Sequence, residues 1–392
     1  MKIKLNENFK NLSKNYLFTE VAQRVERFRR ENPKSKIISL GIGDVSLPLP
    51  RSVSMEMARA SIELGKKEGF RGYGDTQGNS KLREAICDYY AMRGVLFLPS
   101  EIFINDGAKS DLANLGDLLG DNETLIFDPV YPVYLDSSVM SGKRVTRFFE
   151  SEGFALGSPP KDMRDKALVI YLCSPNNPTG AVLSRAHLQL WVEFARKSGS
   201  LIIFDAAYES YISEPDVPHS IFELEGAREC AVEVCSFSKM AGFTGVRCGW
   251  TAIARENPLY DMWRRRQSTK FNGASYISQR GALAVLTPRG LSDCRKNIDY
   301  YMENARSLAK FFEGMGVRFS GGKNAPYLWV RCPDKVSSWQ FFEYLLTSAA
   351  VVCTPGVGFG TGGEGYVRFS AFASREDTLC AIARLEKALR VR

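Results

Sequence analysis

A chain of 392 residues, 44% hydrophobic and 24% charged, exceeds one ordinary core and reads as a folded globular protein of two domains. Lys and Arg number 52 against 44 Asp and Glu, a formal +8 spread over many segments, which favours anionic small ligands and marks no nucleic-acid stripe. Nine scattered cysteines without C-x-x-C spacing read as reduced core thiols of a cytoplasmic protein, two histidines exclude a histidine-rich metal site, and no apolar leader or spanning run appears, so neither secretion nor membrane insertion is expected.

Residues 1–15 are a polar arm. Val21, Val25 and Phe28 recur at helical spacing, so a helix is expected from Thr19, a hydroxyl cap, to about Arg30, ended by Asn32-Pro33. A short strand over 37–40 feeds Gly41-Ile42-Gly43-Asp44, where two glycines let the backbone approach a ligand or simply turn. A helix over 53–64 precedes a glycine-rich loop, 65–78, holding Arg71-Gly72-Tyr73-Gly74-Asp75; a tyrosine held among glycines suits an interface as well as a site. Ser80 is expected to cap a helix reaching Met92, with Leu82, Ile86, Tyr89 and Tyr90 inward. The strand 102–104 leads to Asp106-Gly107-Ala108-Lys109-Ser110, whose Gly-Ala turn opens the next helix with free N–H groups of the kind that cradle phosphate, a pattern common to strand-to-helix turns. The unit repeats at 125–127 and Asp128-Pro129-Val130-Tyr131-Pro132, with Tyr131 at a strand end as a core or a site residue.

After a crossover near 145–149 and a Ser-, Gly- and Pro-bearing linker over 151–160, the strand 167–173 ends in Ser174-Pro175-Asn176-Asn177-Pro178-Thr179-Gly180. A covering helix over 186–197 follows, then the strand 201–204 ending in Asp205-Ala206-Ala207-Tyr208. The apolar run 230–235 turns at Ser236-Phe237-Ser238-Lys239, with Gly242, Gly245 and Gly249 in tight loops behind it. Polar groups at the carboxyl ends of parallel strands lie where open α/β sheets bind ligands. A lysine at the mouth of an apolar turn loses water, which favours the neutral amine that attacks a carbonyl to give a Schiff base. Arg247, eight residues on, can meet an anion beside it; read alone, a loop lysine such as Lys239 is more often a solvated surface residue.

Beyond lie a strand over 250–254, a basic helix over 257–268 whose Arg264-Arg265-Arg266 reads as a solvated face, and a helix over 276–286. Pro288-Arg289-Gly290 marks a boundary into a long helix over 291–312. Strands near 317–319, 327–331 and 366–370 and helices at 338–346 and 378–389 then form a smaller domain, with a glycine-rich stretch at 356–365 that lacks the lysine and hydroxyl of a P-loop. The expected fold is α/β with a mostly parallel central sheet: an arm and helix over 1–40 packing on the small domain, a large domain over 41–288, and a small α/β domain over 289–392, with the site between them.

The set S-P-N-N-P-T-G, D-A-A-Y and S-F-S-K, with an arginine eight residues past the lysine, resembles the class I/II aminotransferases, pyridoxal phosphate enzymes of fold type I, over almost the whole chain. Within that family the likeness is to the LL-diaminopimelate aminotransferases, through Asn15-Tyr16-Leu17-Phe18, Leu40-Gly41-Ile42-Gly43-Asp44, Gly107-Ala108-Lys109, Asp128-Pro129-Val130-Tyr131-Pro132 and Phe271-Asn272-Gly273-Ala274-Ser275. The resemblance implies pyridoxal 5'-phosphate attached to Lys239, Asp205 against the ring nitrogen, Asn177 and Tyr208 on the phenolate oxygen, and Tyr131 stacked on the ring. It implies Ser236, Ser238, Lys109, Arg247 and the Ala108 N–H on the phosphate, joined by Tyr73 of the partner subunit. Lys239 would also carry the proton between Cα and the cofactor C4′.

For the substrate, the resemblance implies Arg368 on the α-carboxylate and Tyr16, Gly43, Asn177, Asp75 and Asn272 in the pocket, Asn272 coming from the partner subunit. A homodimer with shared sites is implied, exchanging an amino group between LL-diaminopimelate and 2-oxoglutarate to give tetrahydrodipicolinate and glutamate on the way to lysine and peptidoglycan. The family carries an acid two residues after the position of Gly74; here Thr76 stands there and Asp75 comes one residue early, and the segment from Arg247 to Asn272 is shorter than the family's. Neighbouring readings are an aminotransferase of another donor (aromatic, acidic or basic) and a fold type I lyase, which shares α-proton removal. A basic nucleic-acid-binding protein is the non-enzyme alternative, without a recognition-helix pattern, zinc spacing or aromatic RNA-binding motif to support it.

Overall fold

The computed structural model describes residues 3–12, 17–149 and 157–390. Seven strands form one sheet in the order Ile102–Asn105, Gly249–Ile253, Ala231–Ser236, Leu201–Asp205, Leu168–Cys173, Glu123–Asp128, Val145–Phe149. The last five of these run parallel, while Gly249–Ile253 is antiparallel to both its neighbours. Parallel strands covered on both faces must be apolar throughout, and Leu168–Cys173 is buried at every position. Alternation sends Ile170, Leu172, Ile202 and Phe204 into a core with Trp191, Phe237 and Trp250, and Val169, Tyr171, Ile203 and Val234 into another with Leu112, Tyr134 and Trp263.

A second, four-stranded antiparallel sheet has the order Thr354–Pro355, Tyr366–Ser370, Tyr327–Arg331, Phe319–Gly321. Helices Pro288–Gly314, Ser338–Ala349 and Arg375–Arg390 share its core around Trp329, Leu345, Phe369 and Leu385. Helix Leu17–Glu31 adds Leu17, Val21 and Phe28 to that core, and Ile38–Ser39 pairs in parallel with Val351–Val352. The 3-10 turn Glu7–Asn11 lies instead against the helix Val133–Met140, where Asn6 donates to the Met140 carbonyl at 2.9 Å. The amino-terminal segment thus divides its contacts between the two cores.

The stretch 145–149, expected as a crossover, is the edge strand Val145–Phe149; paired on one side and half-buried, it lacks the continuous apolar run of its neighbours. Asn79, not Ser80, caps the helix Ser80–Ala91, its side chain accepting from the Leu82 N–H at 3.2 Å. Thr19 lies inside its helix rather than capping it. The turn after Ala231–Ser236 is a short helix, Phe237–Met240, capped by Ser236, and the basic helix begins only at Tyr260, after Asn257 accepts from the Leu259 N–H at 2.9 Å. Of the linker, 151–156 lie outside the described residues.

Candidate active site

The carboxyl ends of Leu168–Cys173, Leu201–Asp205 and Ala231–Ser236 open into a cavity of about 400 Å³, and Gly43, Tyr327 and Arg368 form its opposite wall. Lys239 enters from the short helix Phe237–Met240; its Nζ donates to the Gly43 carbonyl and stands 5.4 Å from the Phe372 ring centroid. Burial lowers this amine to about 8, with Arg368 and Arg247 acting in the same direction and Asp44 opposing them. About a tenth of the amine is then neutral at pH 7, far more than for a solvated lysine.

Asp205 is buried at its strand end and accepts from the Tyr134 hydroxyl at 2.5 Å and the Ala207 N–H at 3.0 Å. Burial raises its carboxyl above the ordinary range, and these two neutral donors offset that only in part. Across the cavity the Arg368 guanidinium, 1% exposed, donates through Nη1 to Asn177 Oδ1 at 2.6 Å and through Nη2 to the Gly41 carbonyl at 2.8 Å. It lies 4.4 Å from the ring centroid of Tyr327 and 4.8 Å from that of Phe359. The hydroxyls of Tyr208 and Tyr327 share a hydrogen bond.

The other end of the cavity is cationic. Arg247, with φ of 65°, donates to Ser238 Oγ and to the Thr244 carbonyl, each at 3.2 Å, and Ser236 Oγ accepts from the Ser238 N–H at 3.0 Å. Gly107 has φ of 117°, and a Cβ there would collide with the Arg247 guanidinium, so glycine is what lets that charge reach the start of helix Ala108–Asn114. The Lys109 ammonium lies 5.9 Å from the Tyr131 ring centroid.

Gly43, Ala108, Lys109, Tyr131, Asn177, Asp205, Tyr208, Ser236, Ser238, Lys239, Arg247 and Arg368 thus share one cavity. Tyr73, 90% exposed, and the exposed Asn272 do not line it. Asp75 is turned into its own loop, accepting from the Gln77 N–H at 2.8 Å and from Arg83 at 3.0 Å. Tyr16 lies outside the described residues. The cavity also takes in Phe18, Asp44, Cys173, Thr244 and Tyr327, to which the sequence assigned no role; Tyr327 lies in a strand buried at all positions but Arg331, where a phenol needs a partner for its hydroxyl. Among the described residues no group of His, Cys, Asp and Glu could hold a metal ion, and no helix is long and apolar enough to cross a membrane.

Residues 35–385 match the family model for aminotransferase class I and II. The chain belongs to that family. This aminotransferase is 48% identical over 410 residues to an LL-diaminopimelate aminotransferase of Bacteroides fragilis, with 98% of the chain and 99% of the relative covered. Its fold superposes on the solved L,L-diaminopimelate aminotransferase of Chlamydomonas reinhardtii with a TM-score of 0.92, at 43% identity and 99% coverage of both chains. The substrate-bound BacF structure from Bacillus subtilis matches the aminotransferase with a TM-score of 0.87 at 28% identity, covering 99% of this chain and 98% of that one.

Proposed function

We propose that this aminotransferase exchanges an amino group between LL-diaminopimelate and 2-oxoglutarate, as a homodimer carrying pyridoxal phosphate on Lys239. One observation carries the reading: a low-pKa lysine, a buried carboxylate met by neutral donors and a buried arginine face one cavity. The chain around that cavity is alike over its full length to enzymes named for this substrate.

The donor set fits the cofactor. A carboxylate held in apolar surroundings without a cation gains by meeting a protonated ring nitrogen, which is the role of Asp205. Arg247, Lys109, Ser236, Ser238 and the Ala108 N–H suit a phosphate at the other end. Bound there, the cofactor supplies the electron sink for the pair left behind by the α-proton. Lys239, with its amine near 8, is suited to take that proton from Cα and return it. Asn177 and the Tyr208 hydroxyl would donate to the phenolate oxygen, Tyr131 would stack on the ring, and the remaining N–H groups of the Arg368 fork would bind the α-carboxylate, all of them lining the same cavity. The exposure of Tyr73 and Asn272 supports their use in the site of the partner subunit, where Asp75, on the loop of Tyr73, would be the acid offered to the distal ammonium once it leaves Arg83.

A panel of amino donors with 2-oxoglutarate tests the substrate. LL-diaminopimelate should give product, and Asp75→Asn should raise its KM about tenfold to a hundredfold, as expected for a charged hydrogen bond of about 1.5–3 kcal/mol, with glutamate hardly affected. Turnover of an aromatic or acidic donor with none of diaminopimelate would refute the substrate and keep the reaction type.

A further inference from the structure

We infer that Tyr327 is a positioning residue with two separable actions: its hydroxyl strengthens hydrogen-bond donation by Tyr208, and its ring holds the Arg368 fork. The inference rests on the proposed role of Tyr208 toward the cofactor oxygen.

Tyr327 opens the strand Tyr327–Arg331 and is 1% exposed. Its hydroxyl meets that of Tyr208, their rings edge to face with centroids 5.2 Å apart. On the other side a Cβ at position 43 would collide with the same hydroxyl, so Gly43 is what leaves room for it. The ring lies 4.4 Å below the Arg368 guanidinium carbon and packs edge to face on Phe372, centroids 6.1 Å apart. The phenol is thus held from several sides and has little freedom to turn away.

A phenol carries one proton and two lone pairs. The hydrogen bond between two hydroxyls can run either way, but once Tyr208 gives its proton to an anionic oxygen in the cavity, a single direction remains: Tyr327 donates and Tyr208 accepts. A donor that also accepts is polarised and donates more strongly. Stronger donation to the phenolate oxygen stabilises the deprotonated form of the lysine-linked nitrogen and so lowers its pKa. The ring acts separately, since its face offers the guanidinium a cation–π contact whether or not the hydroxyl is present.

Wild type, Tyr327→Phe, Tyr208→Phe and the double variant are loaded with pyridoxal phosphate, and the pH midpoint of the visible absorbance change is measured for each. Tyr327→Phe keeps the ring and removes one atom, and cofactor uptake reports that its cavity is intact. Its midpoint should rise by roughly 0.1–0.7 pH unit, the share of a charged hydrogen bond that such polarisation carries. In the Tyr208→Phe background the same change should move nothing further. The KM of the amino donor should stay near wild type in Tyr327→Phe and rise severalfold in Tyr327→Leu, which removes the ring from Arg368. An unmoved midpoint in Tyr327→Phe, or the same shift in both backgrounds, overturns the inference alone. Wild-type protein that takes up no pyridoxal phosphate overturns the function proposed above and this inference with it.

Discussion

Lys239 gives the cofactor-free protein a stability that depends on pH in an unusual direction. Its amine falls from 10.5 to about 8 because folding takes it out of water. At about 1.4 kcal/mol per pH unit this corresponds to about 3 kcal/mol, and the amine's partial exposure to the cavity reduces it to roughly 1.5–3 kcal/mol. Below pH 8 the amine is charged in both states and the folded protein bears the full penalty; between 8 and 10.5 the unfolded chain binds more protons, so raising the pH stabilises the fold. Above 10.5 both states are neutral and the penalty is gone. Urea unfolding of cofactor-free wild type and Lys239→Met at pH 7 and near pH 10 isolates this contribution, because other titrating groups cancel in the difference. Lys239→Met should be the more stable at pH 7 by roughly 1.5–3 kcal/mol, with most of that gap closed near pH 10. The hydrogen bond to the Gly43 carbonyl is missing from the variant at both pH values and shifts both comparisons alike. A gap independent of pH, or one that widens as pH rises, would refute the reasoning.

Two further outcomes are expected. Arg368→Lys keeps the charge but loses the fork that serves Asn177 and Gly41 together, so kcat/KM should fall about tenfold to a hundredfold for every amino donor alike; unchanged steady-state kinetics would remove Arg368 from carboxylate binding. Mixing inactive Lys239→Ala chains with inactive Tyr73→Phe, Asn272→Ala chains should restore part of the activity, because one intact site can be assembled in a hybrid dimer. Heterodimers that form and stay inactive would mean that each site is built within one subunit.

The gathering of the candidate residues in one cavity was legible because several of them interrupt apolar runs. Cys173 gives way to Ser174, Phe204 to Asp205 and Cys235 to Ser236, and each break falls at the carboxyl end of a parallel strand. Tyr327 had no such sign: in Y-L-W-V-R every residue fits a strand, and the hydroxyl that explains this phenol lies 119 positions away. Val145–Phe149 was missed for the opposite reason, since an edge strand half open to solvent needs no unbroken apolar pattern. The cap at Asn79 was displaced by one residue because Asn and Ser are adjacent and both can cap a helix. Asp75 carries a charge the sequence displays, but its engagement by Arg83 comes from the helix that follows and not from its own motif.

Arg368 has a consequence for how the molecule is made. Its two hydrogen-bond acceptors stand 191 and 327 positions away along the chain. On the ribosome, Asp205 and Lys239 emerge, and their sheet can begin to assemble, well before the strand Tyr366–Ser370 has been synthesised. The wall that carries Arg368 is completed only when the last segment of the chain folds back onto the first, a closure of high contact order. A nascent chain stalled ahead of Tyr366 would have the lysine without the arginine, so the cavity gains its buried guanidinium last.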